Sequence, residues 1–236
     1  MNAAILLSSA LLAIASPSPQ NASPQGSVAG EAAYQAAVTL ARDPAANAER
    51  VLESIAEALR DGQNAARVLT EPAFDRFRTQ EKFRTLIRDH SKQSEICMVT
   101  DAEKGERIKI SGLVRDASER PVADALVYAY HADSEGHYAR GDGSEDNPRL
   151  FGYMRTDSNG RFRFITVRPG AYRGSEQHIH MLVTTPKVTN FVWRIGFHDD
   201  PHWAGKPIPR WVVTLAKDAE GTQSAAIEFT VKPRPR

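Results

Sequence analysis

His178-Ile179-His180 opens the apolar run HIHMLVTT. In an extended strand alternate residues share a face, so both imidazoles point one way while Ile179 and Met181 point the other. Two ring nitrogens then converge on one point. Upstream, Tyr172 follows the turn Arg168-Pro169-Gly170-Ala171, and Tyr138 follows Gly136 just beyond the run ALVYAYHAD. Taken singly, each feature has a bland reading. A His-x-His pair can be solvated or hydrogen-bonded, and a tyrosine after a Pro-Gly turn can pack on the end of a sandwich with its hydroxyl bonded to backbone. Taken together, Tyr138, Tyr172, His178 and His180 form a donor set for a hard cation. Phenolate is a strongly donating anion that ferric iron accommodates better than zinc or copper do, and neutral imidazoles fill the remaining protein positions. One Fe(III) per chain is the expected cofactor.

The rest of the composition narrows the chemistry. Cys97 is the only cysteine of the 236 residues, which excludes an intrachain disulfide and a cysteine-based zinc cluster. Thirty basic side chains against twenty-nine acidic ones give a formal charge of +1, so no global field attracts nucleic acid or anionic membranes. Small molecules are the natural partners. Residues 1–15, MNAAILLSSALLAIA, form a short apolar run ending in Ala-Ile-Ala, and a Pro/Ser/Gln-rich linker follows over 16–29. This reads as a cleaved secretory signal, too short to span a bilayer stably, and predicts export to the periplasm or the extracellular space.

Two halves with different periodicity must position the four donors. Residues 30–95 form a helical region, with Val51, Leu52, Ile55 and Leu59 at the spacing of one helix face and Gly62 as a stop. A second helix begins near Gln63 and breaks at Pro72, and a third runs from Thr79 to His90, with Phe83, Leu86, Ile87 and His90 on one stripe. His90 reads as an edge residue. No catalytic motif is visible in this half, which is an oligomerisation, docking or lid element, or a purely structural prefix.

Residues 100–236 change to a period of two. Arg107–Ser111, Arg161–Phe164, Phe191–Ile195 and Ala226–Val231 alternate apolar and polar side chains, with turn sequences at 116–121, 157–160 and 168–170. Six or seven short strands without helical crossovers predict an all-β domain, an antiparallel immunoglobulin-like β-sandwich preceded by the helical region.

The runs GLVRDASERPVADALVYAYHADSEGHY, TDSNGRFRFITVRPGAY and HIH resemble the core of the intradiol ring-cleaving dioxygenases, the catechol and protocatechuate dioxygenases and their relatives, over residues 107–200. The resemblance implies that non-haem Fe(III) is bound by Tyr138 of Gly-x-Tyr, by Tyr172 of Pro-Gly-x-Tyr and by both histidines of His-x-His. It implies a catechol-type substrate and O2, with both oxygen atoms inserted between the two hydroxylated carbons. Tyr172 would be displaced by the substrate and act as the departing base. The first runs alone fit a non-catalytic sandwich of carboxypeptidase-regulatory or transthyretin-like type equally well.

Two departures from the family pattern concern charge. The segment between Tyr172 and His178 is short, and Ser175 stands where the family usually has an arginine three positions before the first histidine. Arg194 occurs where the family tends to place a glutamine, and alternation turns it away from the Phe191/Trp193/Ile195 face. Arg194, or Arg173 beside Tyr172, is therefore the candidate for the missing cation that stabilises charge developing during oxygen attack.

Overall fold

The computed structural model describes residues 27–139, 145–172, 174–186, 188 and 191–232. The predicted signal, nearly all of the linker, and Arg173 lie outside them.

The helical region contains α1 (Val28–Arg42), α2 (Ala48–Arg60), α3 (Ala65–Thr70), a 3-10 turn over Pro72–Phe77, and α4 (Glu81–His90). Ser27, Asn47 and Asn64 cap the first three helices by accepting backbone N–H bonds. The chain turns after α2 at Gly62, whose φ of 96° suits a residue without a side chain. Val51, Leu52, Ile55, Ala58 and Leu59 of α2 are buried, as are Phe83 and Ile87 of α4. These apolar faces belong to the same hydrophobic cluster as the strands, so this stripe is spent within the chain.

Among the described residues ten strands follow: β1 (Glu95–Cys97), β2 (Arg107–Arg115), β3 (Leu126–His131), β4 (Leu150–Arg155), β5 (Arg161–Val167), β6 (His178–Thr184), β7 (Phe191–Phe197), β8 (Val212–Val213), β9 (Ala216–Lys217) and β10 (Gln223–Thr230). They form two five-stranded sheets, in the orders β1-β5-β2-β10-β9 and β4-β3-β6-β7-β8. The expected all-antiparallel sandwich is corrected here, because both sheets are mixed. β1 runs parallel to β5, β10 to β2 and β8 to β7. Side-chain alternation is the same in parallel and antiparallel strands, so the pattern carried no information on direction. Three of the added strands have only two or three residues, too few to display a period.

The inner faces meet in one core. Ile108, Ile110 and Val114 of β2 with Phe162 and Phe164 of β5 share it with Val127, Ala129, Ile179, Met181, Val183, Ile195 and Phe197 of the second sheet. At its rim His131 is wholly buried, its Nε2 2.7 Å from Thr166 Oγ1 of the opposite sheet and its Nδ1 2.6 Å from the Ala132 carbonyl. On the outer face of the second sheet, register aligns Phe151, Tyr130, His180 and Arg194 across β4, β3, β6 and β7. α4 covers one end of this row, where Phe83 meets Phe151 edge-on at 6.3 Å.

Candidate metal centre

Two loops and one strand bring the predicted donors together. The loop after β3 carries Tyr138. Asp133 shapes it by accepting from the backbone N–H groups of Glu135 and His137 at 3.0 and 2.9 Å. The loop after β5 carries Tyr172 and docks on the first, with Gly170 N–H donating to the Asp133 carbonyl at 2.8 Å. Two glycines make this approach possible. A Cβ at Gly136, whose φ is 87°, would lie 2.3 Å from the Ala171 carbonyl oxygen, and one at Gly170 would lie 2.5 Å from that of Ser134. The Gly-x-Tyr and Pro-Gly-x-Tyr elements are thus two halves of one interlock, which sets the Tyr138 and Tyr172 rings edge to face at 4.8 Å.

β6 presents His178 and His180 on the outer face, as alternation requires. His178 Nε2 lies 2.9 Å from His180 Nε2, which in turn lies 2.9 Å from the Tyr138 hydroxyl. His178 Nδ1 lies 2.7 Å from the Glu176 carbonyl and donates to it, so a neutral His178 ring offers its lone pair at Nε2. Burial first, then the neighbouring His178 and Arg194, push the His180 imidazole down to about 4, and it is neutral near pH 7. Burial also raises the Tyr138 phenol above its ordinary range, helped by the nearby Glu145 carboxylate. A phenolate there needs a compensating cation.

This donor set fits a metal ion. Adjacent ligands on bonds of about 2.1 Å at right angles lie about 3.0 Å apart, close to the spacing of the two imidazole nitrogens and the phenol oxygen. Among the described residues no three His, Cys, Asp or Glu side chains group as a metal site, so a centre here depends on phenol oxygen. Glu145 stands nearby, its carboxylate 3.6 Å from His180 Nε2.

Arg194 lies directly opposite His180, on the same face. Its guanidinium bonds Glu176 at 3.0 Å and stacks over the Trp211 ring at 4.3 Å, and its side chain is 49% exposed. Sequence reasoning placed the residue on the correct face but missed both partners.

Sequence reasoning also missed three other features. Tyr130 stacks on the His180 imidazole at 4.7 Å and 9° and continues into a ladder through Tyr128 to Tyr153. The alternation in Tyr128-Ala129-Tyr130 was the available signal. Arg149, 9% exposed at its side chain, forms a two-pronged pair with Glu103 at 2.6 and 2.8 Å, and its backbone N–H donates to the Tyr138 carbonyl at 2.7 Å. It also reaches Asp75 of the 3-10 turn at 3.4 Å, tying the helical region to the Tyr138 loop. Beyond Arg194 opens a cavity of about 360 Å³ lined by His180, Trp193, Arg194, Arg210 and Trp211. A larger cavity of about 640 Å³ holds none of these residues, and its Asp116 and Arg120 are bonded to each other.

Known proteins place this arrangement in context. The family model described as "Dioxygenase" matches residues 82–230, from within α4 to the end of β10. The chain is 32% identical over 127 residues to the protocatechuate 3,4-dioxygenase beta chain of Burkholderia cepacia, covering 48% of this chain and 54% of that one. It is 34% identical over 157 residues to the 6-chlorohydroxyquinol 1,2-dioxygenase of Cupriavidus pinatubonensis, covering 57% of each. The chain spans about half the length of the curated relatives it matches. In fold it is similar to the dioxygenase domain of a dioxygenase and carbohydrate-binding fusion from Streptomyces sp. SirexAA-E, at a TM-score of 0.51 and 22% identity over 61% of this chain and 90% of that one. It is similar to the 3-chlorocatechol 1,2-dioxygenase of Rhodococcus opacus 1CP to the same extent, at a TM-score of 0.51 and 21% identity over 61% and 68%. Matching model, relatives and fold agree with the residues that first suggested them, and the chain belongs to the intradiol ring-cleaving dioxygenase family.

Proposed function

We propose that the protein is a non-haem Fe(III) dioxygenase that opens a catechol-type ring between its two hydroxylated carbons, incorporating both atoms of O2. The observation that carries this reading is the convergence of His178 Nε2, His180 Nε2 and the Tyr138 hydroxyl at 2.9 Å spacings, with Tyr172 against Tyr138. Tyr138, Tyr172, His178 and His180 would hold one iron per chain. When bound, that iron supplies a Lewis acid that fixes the substrate oxygens and makes the ring reactive toward O2.

The chain's own groups have separable tasks. Tyr138 sits 1% exposed, which suits a permanent anionic ligand shielded from water. Tyr172, on the second of the two interlocked loops, is less deeply buried than Tyr138, which suits the group that gives way to substrate and takes up one of its hydroxyl protons. His178 is held by the Glu176 carbonyl and His180 by the flat stack with Tyr130, so neither ring must reorient when substrate enters. Arg194, opposite His180, is the cation proposed to stabilise charge that develops as oxygen attacks. Its bond to Glu176 holds it in place. Export of the mature protein is part of the same proposal and rests on the apolar N-terminal run alone.

Oxygen-isotope labelling tests the reaction. An iron-loaded protein given a simple catechol under labelled O2 is expected to yield a dicarboxylate ring-opened product carrying label at both new oxygens, with one O2 consumed per ring. Label in only one position, or no oxygen uptake, contradicts the proposal.

A further inference from the structure

Arg149 is buried just ahead of β4 and faces carboxylates from three parts of the chain. Glu103, from the segment between β1 and β2 and 10% exposed at its side chain, accepts the two-pronged pair. Asp75 of the 3-10 turn approaches the same guanidinium at 3.4 Å, and Asp133 of the Tyr138 loop at 3.9 Å. Arg78, buried three residues after Asp75, shares this field. Burial works against its charge, Asp75 and Glu103 favour it, and Arg149 opposes it. Two cations and three anions thus lie together where the helical region joins the strands.

Charge is a costly way to hold such a junction. Taking these groups out of water offsets most of what their attraction returns, and apolar residues of similar volume commonly hold a junction as well. What a guanidinium adds is direction, because its planar fork fixes where each carboxylate stands. Asp133 shows what is directed here. Its Oδ2 faces Arg149, while its Oδ1 accepts from the backbone N–H groups of Glu135 and His137. Its main-chain carbonyl accepts from Gly136 at 3.1 Å and from Gly170 of the Tyr172 loop at 2.8 Å. The Arg149 backbone N–H also donates to the Tyr138 carbonyl, so side chain and main chain of one residue hold the Tyr138 loop at two points.

Building on the iron site proposed above, we propose that Arg149 is a positioning residue for Tyr138 and Tyr172, and that the helical region, through Asp75, braces the two tyrosine loops. The action runs through Asp133 and the main chain. Without the fork, Asp133 no longer has one fixed orientation, and the interlock that sets the two tyrosine rings 4.8 Å apart loosens. The loss falls on donor geometry rather than on the sandwich core.

Two variants of the full-length protein test this. Arg149→Gln combined with Glu103→Gln removes one cation and one anion together, so neither is left buried alone. Asp75→Asn removes only the charge that the helical region contributes. In iron-free protein the amides of Glu135, His137 and Gly170, all bonded to Asp133, are expected to exchange hydrogen at least about tenfold faster in the double variant, and to a smaller extent in Asp75→Asn, while amides of β2 and β6 keep their rates. In iron-loaded protein the double variant should weaken iron roughly tenfold to a hundredfold against a chelator and shift the visible phenolate band. Should the double variant fail to fold, Arg149→Lys, which keeps the charge and loses the fork, is expected to speed the same three amides. Unchanged exchange at these amides, or equal acceleration throughout the strands, overturns the positioning role, and an Asp75→Asn protein indistinguishable from the unaltered one overturns the brace. If the protein takes up no iron yet the three amides respond, the positioning role stands and the iron site falls. If iron binds while amides and iron affinity ignore the double variant, the iron site stands and the positioning role falls.

Discussion

His131 gives the fold a quantitative acid sensitivity. It lies one residue beyond Tyr130, points inward, and joins the two sheets through Thr166. Burial pushes its imidazole down from 6.5 to about 4, against a smaller opposing effect of the Ala132 carbonyl. Because the folded value is depressed, the stability it contributes is fully present above about 6.5, declines as pH falls and the unfolded chain takes up the proton first, and is lost by about 4. The 2.5-unit gap between those values corresponds to about 3 kcal/mol, a large share of the roughly 5–15 kcal/mol that holds a typical domain together. The perturbation is His131→Asn, which keeps a donor for the Ala132 carbonyl and cannot titrate. Without its bond to Thr166 the variant should be less stable at pH 7 by about 1–3 kcal/mol. Urea unfolding of iron-free protein at pH 7, 6, 5 and about 4 should show that deficit shrinking as pH falls, closing or reversing by the most acidic point. Acidic groups titrate equally in both proteins and cancel in the difference. A deficit that stays constant with pH would refute the assignment of a neutral, buried His131.

Three further expectations follow from the site. Gly136→Ala should cost at least about 2 kcal/mol, because it adds a side chain at φ 87° and 2.3 Å from the Ala171 carbonyl, and should reduce iron loading by parting the tyrosine loops; denaturant midpoints with metal analysis check both. Tyr130→Ala removes the stack on His180 and should weaken iron affinity about tenfold to a hundredfold, whereas Tyr130→Phe keeps the ring and should change it little, as read by competition with a chelator. Arg194→Gln should retain iron while lowering turnover of catechols roughly a hundredfold, the loss expected for one donor to developing charge, and steady-state kinetics with an iron assay separate the two effects.

Much of this site was legible because strand alternation is a local property. His178 and His180 share a face for the same reason that Ile179 and Met181 enter the core, and Arg194 shares it by the same count. Gly170 was legible as a turn residue and Gly136 as the glycine of Gly-x-Tyr, but their closest contacts are between loops more than thirty residues apart in sequence, and no local pattern encodes that interlock. Tyr130 escaped notice because its role depends on β3 pairing with β6 in one register. Trp211 and Arg210 adjoin a two-residue strand that has no period to read, and they reach the site through the parallel β7/β8 pairing. The same blindness to direction produced the antiparallel expectation that β1, β8 and β10 overturn. Glu176 holds Arg194 through a contact between a loop and a strand, which the polar pattern of either segment does not reveal.

Phenol oxygen and imidazole nitrogen from this chain are proposed to bind ferric iron together. The most direct test is metal analysis with a visible absorption spectrum, on the unaltered protein and on Tyr138→Phe, His178→Ala and His180→Ala. About one iron per chain is expected, together with a red-brown band from phenolate donation that shifts when a catechol is added, with His178→Ala and His180→Ala folded but iron-free and the band weakened or lost in Tyr138→Phe. A colourless protein that retains zinc, or an iron protein whose spectrum is indifferent to Tyr138, would contradict it.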